Sequence, residues 1–175
     1  MTERQYYDWL TEGGANDVTG MVNVLESAGV SWCMIGGLAV NHWAEEPMVT
    51  RDVDIVIALD KVEPVVQAFA AAGFTVKAFP YSINLEGHSQ VSIQISTDEM
   101  YREFPKRGVP ADIHGILMRV ACLEDTLTGK LAAYADRSRR PSKRQKDLAD
   151  IARLMESHPQ LEARIPVAIL ERIRD

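Results

Sequence analysis

Two carboxylates, Asp52 and Asp54, stand two residues apart in RDVDIVIAL, a run that alternates at first and then turns wholly apolar. That pattern predicts a buried strand. Side chains at i and i+2 of a strand project from one face, so the two acids lie side by side. Like charges this close repel unless a cation neutralises them, and carboxylates are hard oxygen donors suited to magnesium. Fifteen residues before Asp52, Gly36-Gly37 closes the apolar run VSWCMI and opens the helical pattern LAVNHW. Glycines there let the backbone approach a ligand, and the following helix offers unpaired N–H groups to an anion such as a triphosphate. Thr50 and Arg51, just ahead of the pair, add a hydroxyl and a guanidinium. A D-x-D motif or a Gly-Gly turn alone is commonplace. Together at this spacing they meet the needs of a metal and of a phosphate chain at one place.

The run IGGLAVNHWAEEPMVTRDVDIVI resembles the nucleotidyltransferase superfamily that includes DNA polymerase beta, and within it the bacterial AbiEii-type members, some of which are toxins of toxin–antitoxin pairs. The segment LEDTLTGKLAAYADRSRRPSKRQKDLADIARL resembles the helical part of the same family. The resemblance implies nucleotide binding by Lys130 and a part in activity for Asp147, the acid of the Lys-Asp pair. It also implies an α+β fold, with a nucleotidyltransferase-like mixed sheet flanked by helices and followed by a C-terminal helical region. The activity implied is magnesium-dependent transfer of a nucleoside monophosphate from a nucleoside triphosphate to a hydroxyl of RNA or protein, with a cognate antitoxin as a partner.

Helix geometry bears on the second segment. Thr126, Lys130, Ala133 and Arg137 follow a four-three-four spacing, which puts Lys130 and Arg137 on one stripe, both placed to meet a nucleotide. One departure from the family pattern stands out. A third carboxylate is expected from a later antiparallel strand; QVSIQIS is the candidate, and it carries Gln94 where an acid is wanted. Glutamine cannot act as a general base. Asp98 and Glu99 follow that strand, and Asp98 reads more simply as a helix N-cap.

The remaining elements must hold these residues in place. Residues 15–29 read as a helix ending at Gly29, and Val62 to Ala72 as another, opened by Asp60 and closed by Gly73. FTVKAF and QVSIQIS read as strands separated by a turn around Glu86-Gly87-His88, with further extended runs at 111–114 and 116–120. From Leu123 onward the pattern is helical. The expected division is a core over residues 1–121 and a helical region over 122–175, forming one compact unit.

The chain has 175 residues, 46% hydrophobic and 25% charged, enough for a true core. No stretch approaches the ~20 apolar residues of a membrane span. MTERQYYDWL lacks the features of a signal peptide, so a cytoplasmic protein is expected. Cys33 and Cys122 sit in apolar runs, and no zinc-binding spacing appears. The net charge of −6 argues against a dedicated duplex-DNA binder. A local basic run from Arg137 to Lys146 nevertheless suits a polyanion, either a triphosphate or RNA. Two other functions fit the same residues: a catalytically weakened nucleotide- or partner-binding module, and a drug-modifying nucleotidyltransferase.

Overall fold

The structure is a computed structural model that describes residues 1–175. Two helices, α1 (Glu3–Thr11) and α2 (Gly14–Ser27), lead into β1 (Trp32–Ile35), α3 (Gly36–Trp43), β2 (Asp52–Ile57) and α4 (Val62–Ala71). Then come β3 (Thr75–Phe79), β4 (Ser82–Glu86), β5 (Ser92–Ser96), the short α5 (Phe104–Arg107), β6 (Val109–Ile113) and β7 (Ile116–Val120). The chain ends in α6 (Leu123–Ala135), α7 (Pro141–Ser157) and α8 (Val167–Arg174). The seven strands form one sheet in the order β3-β4-β5-β2-β1-β7-β6. The β1–β2 pair is antiparallel, whereas β2–β5 and β1–β7 are parallel. The expected α+β fold with a mixed sheet is therefore present.

The apolar pattern explains why β1 and β2 lie at the centre. All four residues of β1 are buried, as are Val53, Ile55, Val56 and Ile57 of β2. Trp32, Met34, Val53, Ile55 and Ile57 join Met21, Leu25, Val65, Phe69, Ile93 and Ile95 in the main core, while Cys33, Ile35 and Val56 pack on the other face with Phe104 and Ala121. A second core gathers Val40 of α3 and Ala44, just past its end, with Leu127, Ile151, Leu154, Leu161, Ile165 and Leu170. Helix α3 thus faces both cores, with Leu38 and Ala39 in the first. Polar bonds reinforce the junction: Trp43 Nε1 donates to the Ala121 carbonyl at 3.0 Å, and His158 Nε2 lies 2.7 Å from the Trp43 carbonyl. Gly29, just past α2, adopts φ of 61°, as a glycine stop requires.

Several expectations are corrected. Helix α6 ends at Ala135, because Asp136 turns the chain by accepting from the Ser138 amide at 2.9 Å; the stripe joining Lys130 to Arg137 does not exist. The segment between FTVKAF and QVSIQIS is not merely a turn, since it contains β4, which pairs with both. Asp60 sits in a short 3₁₀ turn and does not cap α4. Asp98 does cap, accepting from the Met100 amide at 2.9 Å. The turn ahead of β5 is pinned from α2: Asp17 accepts from the amides of His88 at 3.1 Å and Ser89 at 2.8 Å. No helix is long and apolar enough to cross a membrane.

Candidate active site

A cleft of about 510 Å³ opens where the ends of β1, β2 and β5 meet α6 and α7. Gly36, Asp52, Asp54, Gln94, Lys130 and Asp147 are among the residues lining it. The sheet register sets the distances along its floor: Asp54 pairs with Ile35 on one side and Gln94 on the other, and Asp52 pairs with Ser92. Gly36 follows β1 directly and is needed there for two reasons. Its φ of 72° lies in the left-handed region, and a Cβ at that position would stand 2.5 Å from Asp54 Oδ2. Gly36→Ala is therefore expected to displace the Asp54 carboxylate and to lower stability by about 1–3 kcal/mol; urea denaturation measures the loss. Gly37 is different. A Cβ there would meet Thr50 Cγ2 at 3.7 Å and Lys146 Nζ at 3.9 Å, ordinary contacts.

The other sequence candidates fall at graded distances from this cleft. Thr50 uses its hydroxyl on the backbone, accepting from the Asp52 amide at 3.2 Å, so it shapes the entry to β2. Arg51 is exposed and donates to Gln90 Oε1 at 2.6 Å, outside the cleft lining. Arg137 is exposed in the turn beyond α6 and does not line the cleft either. In its place Arg139 and Lys143, from the same basic run, enter it. The run was visible in the sequence; which of its members turn inward was decided by where α6 stops.

Lys130 is not a surface lysine. It is buried, 7% exposed, and its ammonium sits 3.0 Å from Asp147 Oδ1 and 2.7 Å from Asp150 Oδ2. The second contact is an ion pair whose angle falls short of a hydrogen bond. Arg139 Nε donates to Asp147 Oδ2 at 2.6 Å. Both oxygens of Asp147 are thereby engaged, one with Lys130 and the other with Arg139. Asp150, not singled out in the sequence, completes the cluster and is itself paired to Arg153 at 2.9 Å. Arg153 also donates to Asn41 Oδ1 at 2.8 Å and to the Glu46 carbonyl. Asn41 in turn bonds both the amide and the carbonyl of Met48, at 2.9 and 2.6 Å. The loop that delivers Thr50, Arg51 and Asp52 is thus tied to α7 through buried charge.

The carboxylate pair is electrostatically strained. Burial, and then the charge of Asp52, push the Asp54 carboxyl up to about 6, against the opposing pull of Lys130, Arg139 and Lys143. Asp52 is better placed, with Lys143 Nζ 3.1 Å from its Oδ2. No third acid joins them on the sheet. Strand β5 runs parallel to β2, where an antiparallel strand was expected, and it sets Gln94 beside Asp54. Tyr101, also in the cleft, has its phenol pushed up by burial and by the charges of Asp98 and Asp54. Two adjacent, under-neutralised carboxylates fit magnesium, which commonly takes one or two protein carboxylates and completes its shell with water and phosphate oxygens.

The family model described as "Nucleotidyl transferase AbiEii toxin, Type IV TA system" matches residues 23–175. No curated protein matches in sequence. Among solved structures, ANT(2")-Ia in complex with adenylyl-2"-tobramycin superposes with a TM-score of 0.59 at 14% identity, over 91% of this chain and 95% of that one. The lincosamide antibiotic adenylyltransferase LnuA, lincomycin-bound, gives 0.51 at 13% identity, over 75% and 92%. A putative nucleotidyltransferase from H. pylori gives 0.53 at 19% identity, over 87% and 70%. At such identities these structures speak for the fold alone. The family match spans both the carboxylate pair and the Lys130–Asp147 cluster, and the chain belongs to the AbiEii nucleotidyltransferase family.

Proposed function

We propose that the cleft binds a nucleoside triphosphate with magnesium and transfers its nucleoside monophosphate to a hydroxyl of RNA or protein, as the toxin of a toxin–antitoxin pair. The observation that carries this reading is the pairing of Asp52 and Asp54 beneath Gly36, facing Lys130, Arg139 and Lys143 across one cleft. Asp52 and Asp54 would hold the magnesium, which when bound neutralises charge on the phosphates and on the departing pyrophosphate. The amides at Gly36-Gly37, at the start of α3, offer donors to the phosphates. Lys130 and Arg139 meet the same phosphates from the opposite wall, pre-oriented by Asp147 and Asp150.

The acceptor oxygen forms a bond to the α-phosphorus as the α–β phosphoanhydride breaks. Its proton needs a base. Asp98, Asp125, Asp136 and Asp147 all accept hydrogen bonds from protein groups, and Asp52 is paired with Lys143. Asp54 alone among the cleft acids has no such partner, and one of its oxygens is the group to take the proton. Gln94 beside it can orient the acceptor hydroxyl but not deprotonate it.

A second reading keeps the chemistry and changes the acceptor to a small molecule. The hydroxyls and amide of Ser82, Ser92, Gln94 and Ser96 along the cleft favour it, and two solved structures of the same fold are antibiotic adenylyltransferases. Parallel incubations with α- and γ-labelled nucleoside triphosphates, against total RNA, total protein and an aminoglycoside, test both readings. Label passing from the α-position to a macromolecule supports the first, and to the drug the second. Label passing only from the γ-position would overturn nucleotidyl transfer.

A further inference from the structure

Three cations line the cleft, and two of them are already committed. Lys130 is held between Asp147 and Asp150, and Arg139 is held by Asp147; both carboxylates are fully buried. Lys143 differs. It stands in the first turn of α7 with 37% of its side chain exposed, and its one partner is Asp52 Oδ2 at 3.1 Å. One turn further, Lys146 is half-buried, takes part in no ion pair, and holds its ammonium 3.9 Å from where a Cβ on Gly37 would lie. Residues three apart share a helix face. Helix α7 therefore presents two lysines to the corner where the glycine turn meets Asp52, one seated on the carboxylate and one beside the turn.

The charge balance at that corner is incomplete. Lys143 pairs with Asp52 alone, and Asp54 has no ion-pair partner. A half-exposed pair of this kind is weak, because water screens it and a long side chain must be held still. A doubly charged ion competes well against it. Once freed, an ammonium on a flexible four-carbon stem reaches phosphate readily, as a point charge with rotatable donors.

Resting on the nucleotide–metal reading of the cleft, we propose that Lys143 is a displaceable counter-cation. It neutralises Asp52 in the metal-free protein, gives up that carboxylate to the divalent ion, and moves to the nucleotide's phosphates beside Lys146, which stands at the glycine turn. Metal alone must then displace Lys143 with nothing to receive it. Metal arriving with a triphosphate gives the lysine a new partner. The arrangement favours the metal–nucleotide complex over the bare ion.

The test is titration of manganese into metal-free protein, read from the spectrum of free Mn²⁺, without nucleotide and then with a non-hydrolysable triphosphate. Lys143→Met, which keeps the apolar stem, is expected to bind Mn²⁺ alone about fivefold more tightly than wild type. The same variant is expected to bind the triphosphate roughly tenfold more weakly. Lys143→Arg should behave as wild type toward the ion. Lys146→Met should lose triphosphate affinity with Mn²⁺ binding unchanged, and circular dichroism checks that each variant is folded. Unchanged or weaker Mn²⁺ binding by folded Lys143→Met overturns the inference, and if Asp52→Asn abolishes that binding the metal site itself still stands. Wild-type Mn²⁺ affinity in Asp52→Asn/Asp54→Asn would instead remove the reading on which the inference rests.

Discussion

Replacing Asp54 with asparagine is expected to abolish nucleotidyl transfer and, in the same variant, to raise the melting temperature of the metal-free protein. The activity loss is set at about a thousandfold or more, since on the proposed reading the change removes both a carboxylate that would hold the metal and the one free carboxylate in the cleft. The gain in stability follows from the elevated pKa. The folded protein holds the Asp54 carboxyl at about 6, above its ordinary value, so folding favours the protonated form. That contribution is complete below the ordinary carboxylate range and is lost as pH rises through about 6. At neutral pH the wild type carries an ionised group that its surroundings resist, and asparagine, of the same shape, does not. Scanning calorimetry at about pH 7.5 should show the variant melting higher, with the gap closing near pH 4. A variant that melts lower at neutral pH would contradict the strained-carboxylate account.

The second large effect concerns Asp150. Asp150→Ala removes one of the two carboxylates around Lys130 and the only charged partner of Arg153, both within a buried cluster. Breaking such a cluster from one side costs about 3–5 kcal/mol, because the remaining charges stay buried without compensation. Denaturant unfolding should record that loss, with Lys130 and the 46–48 loop losing their anchor and transfer activity falling in parallel. Arg51→Ala is the contrast. Its one side-chain bond is to Gln90 on the exposed surface, so a change within about 0.5 kcal/mol is expected.

What could be read in advance follows from which forces act locally. The strand carrying Asp52 and Asp54 was legible because its alternation ends in the fully apolar Ile55–Ile57, and the glycine turn because nothing but glycine suits a left-handed residue packed on Asp54. Strand β4 was not legible. SINLE mixes serine, asparagine and glutamate with two apolar residues, and only pairing with β3 and β5 makes it a strand. Helix α1 carried its signal in Thr2 and Gln5, which form a capping box, but it buries only Tyr7 and Thr11 and is polar on average, so it does not read as a core helix. The division of labour between Arg137 and Arg139 turned on two residues at the end of α6, a boundary that local sequence rarely fixes. Asp150 and Arg153 sit three and six residues after Asp147 on α7, a visible spacing. What the spacing could not say is that this face is buried against α6, and burial is what turns three charges into an anchor for Lys130.

The carboxylate pair also explains why a cleft with only two acids on its sheet can host phosphoryl chemistry, which depends chiefly on positioning and on neutralising charge. Two of the cations opposite it, Lys130 and Arg139, are held by buried acids rather than left to roam. The most direct measurement is calorimetric titration of the four nucleoside triphosphates with magnesium, into wild type and into Asp52→Asn/Asp54→Asn. Magnesium-dependent binding of at least one nucleotide by wild type, lost in the double variant, is the predicted result. A folded wild type that binds none of the four, or a double variant that binds as well as wild type, would contradict the assignment of Asp52 and Asp54 as the metal–nucleotide seat.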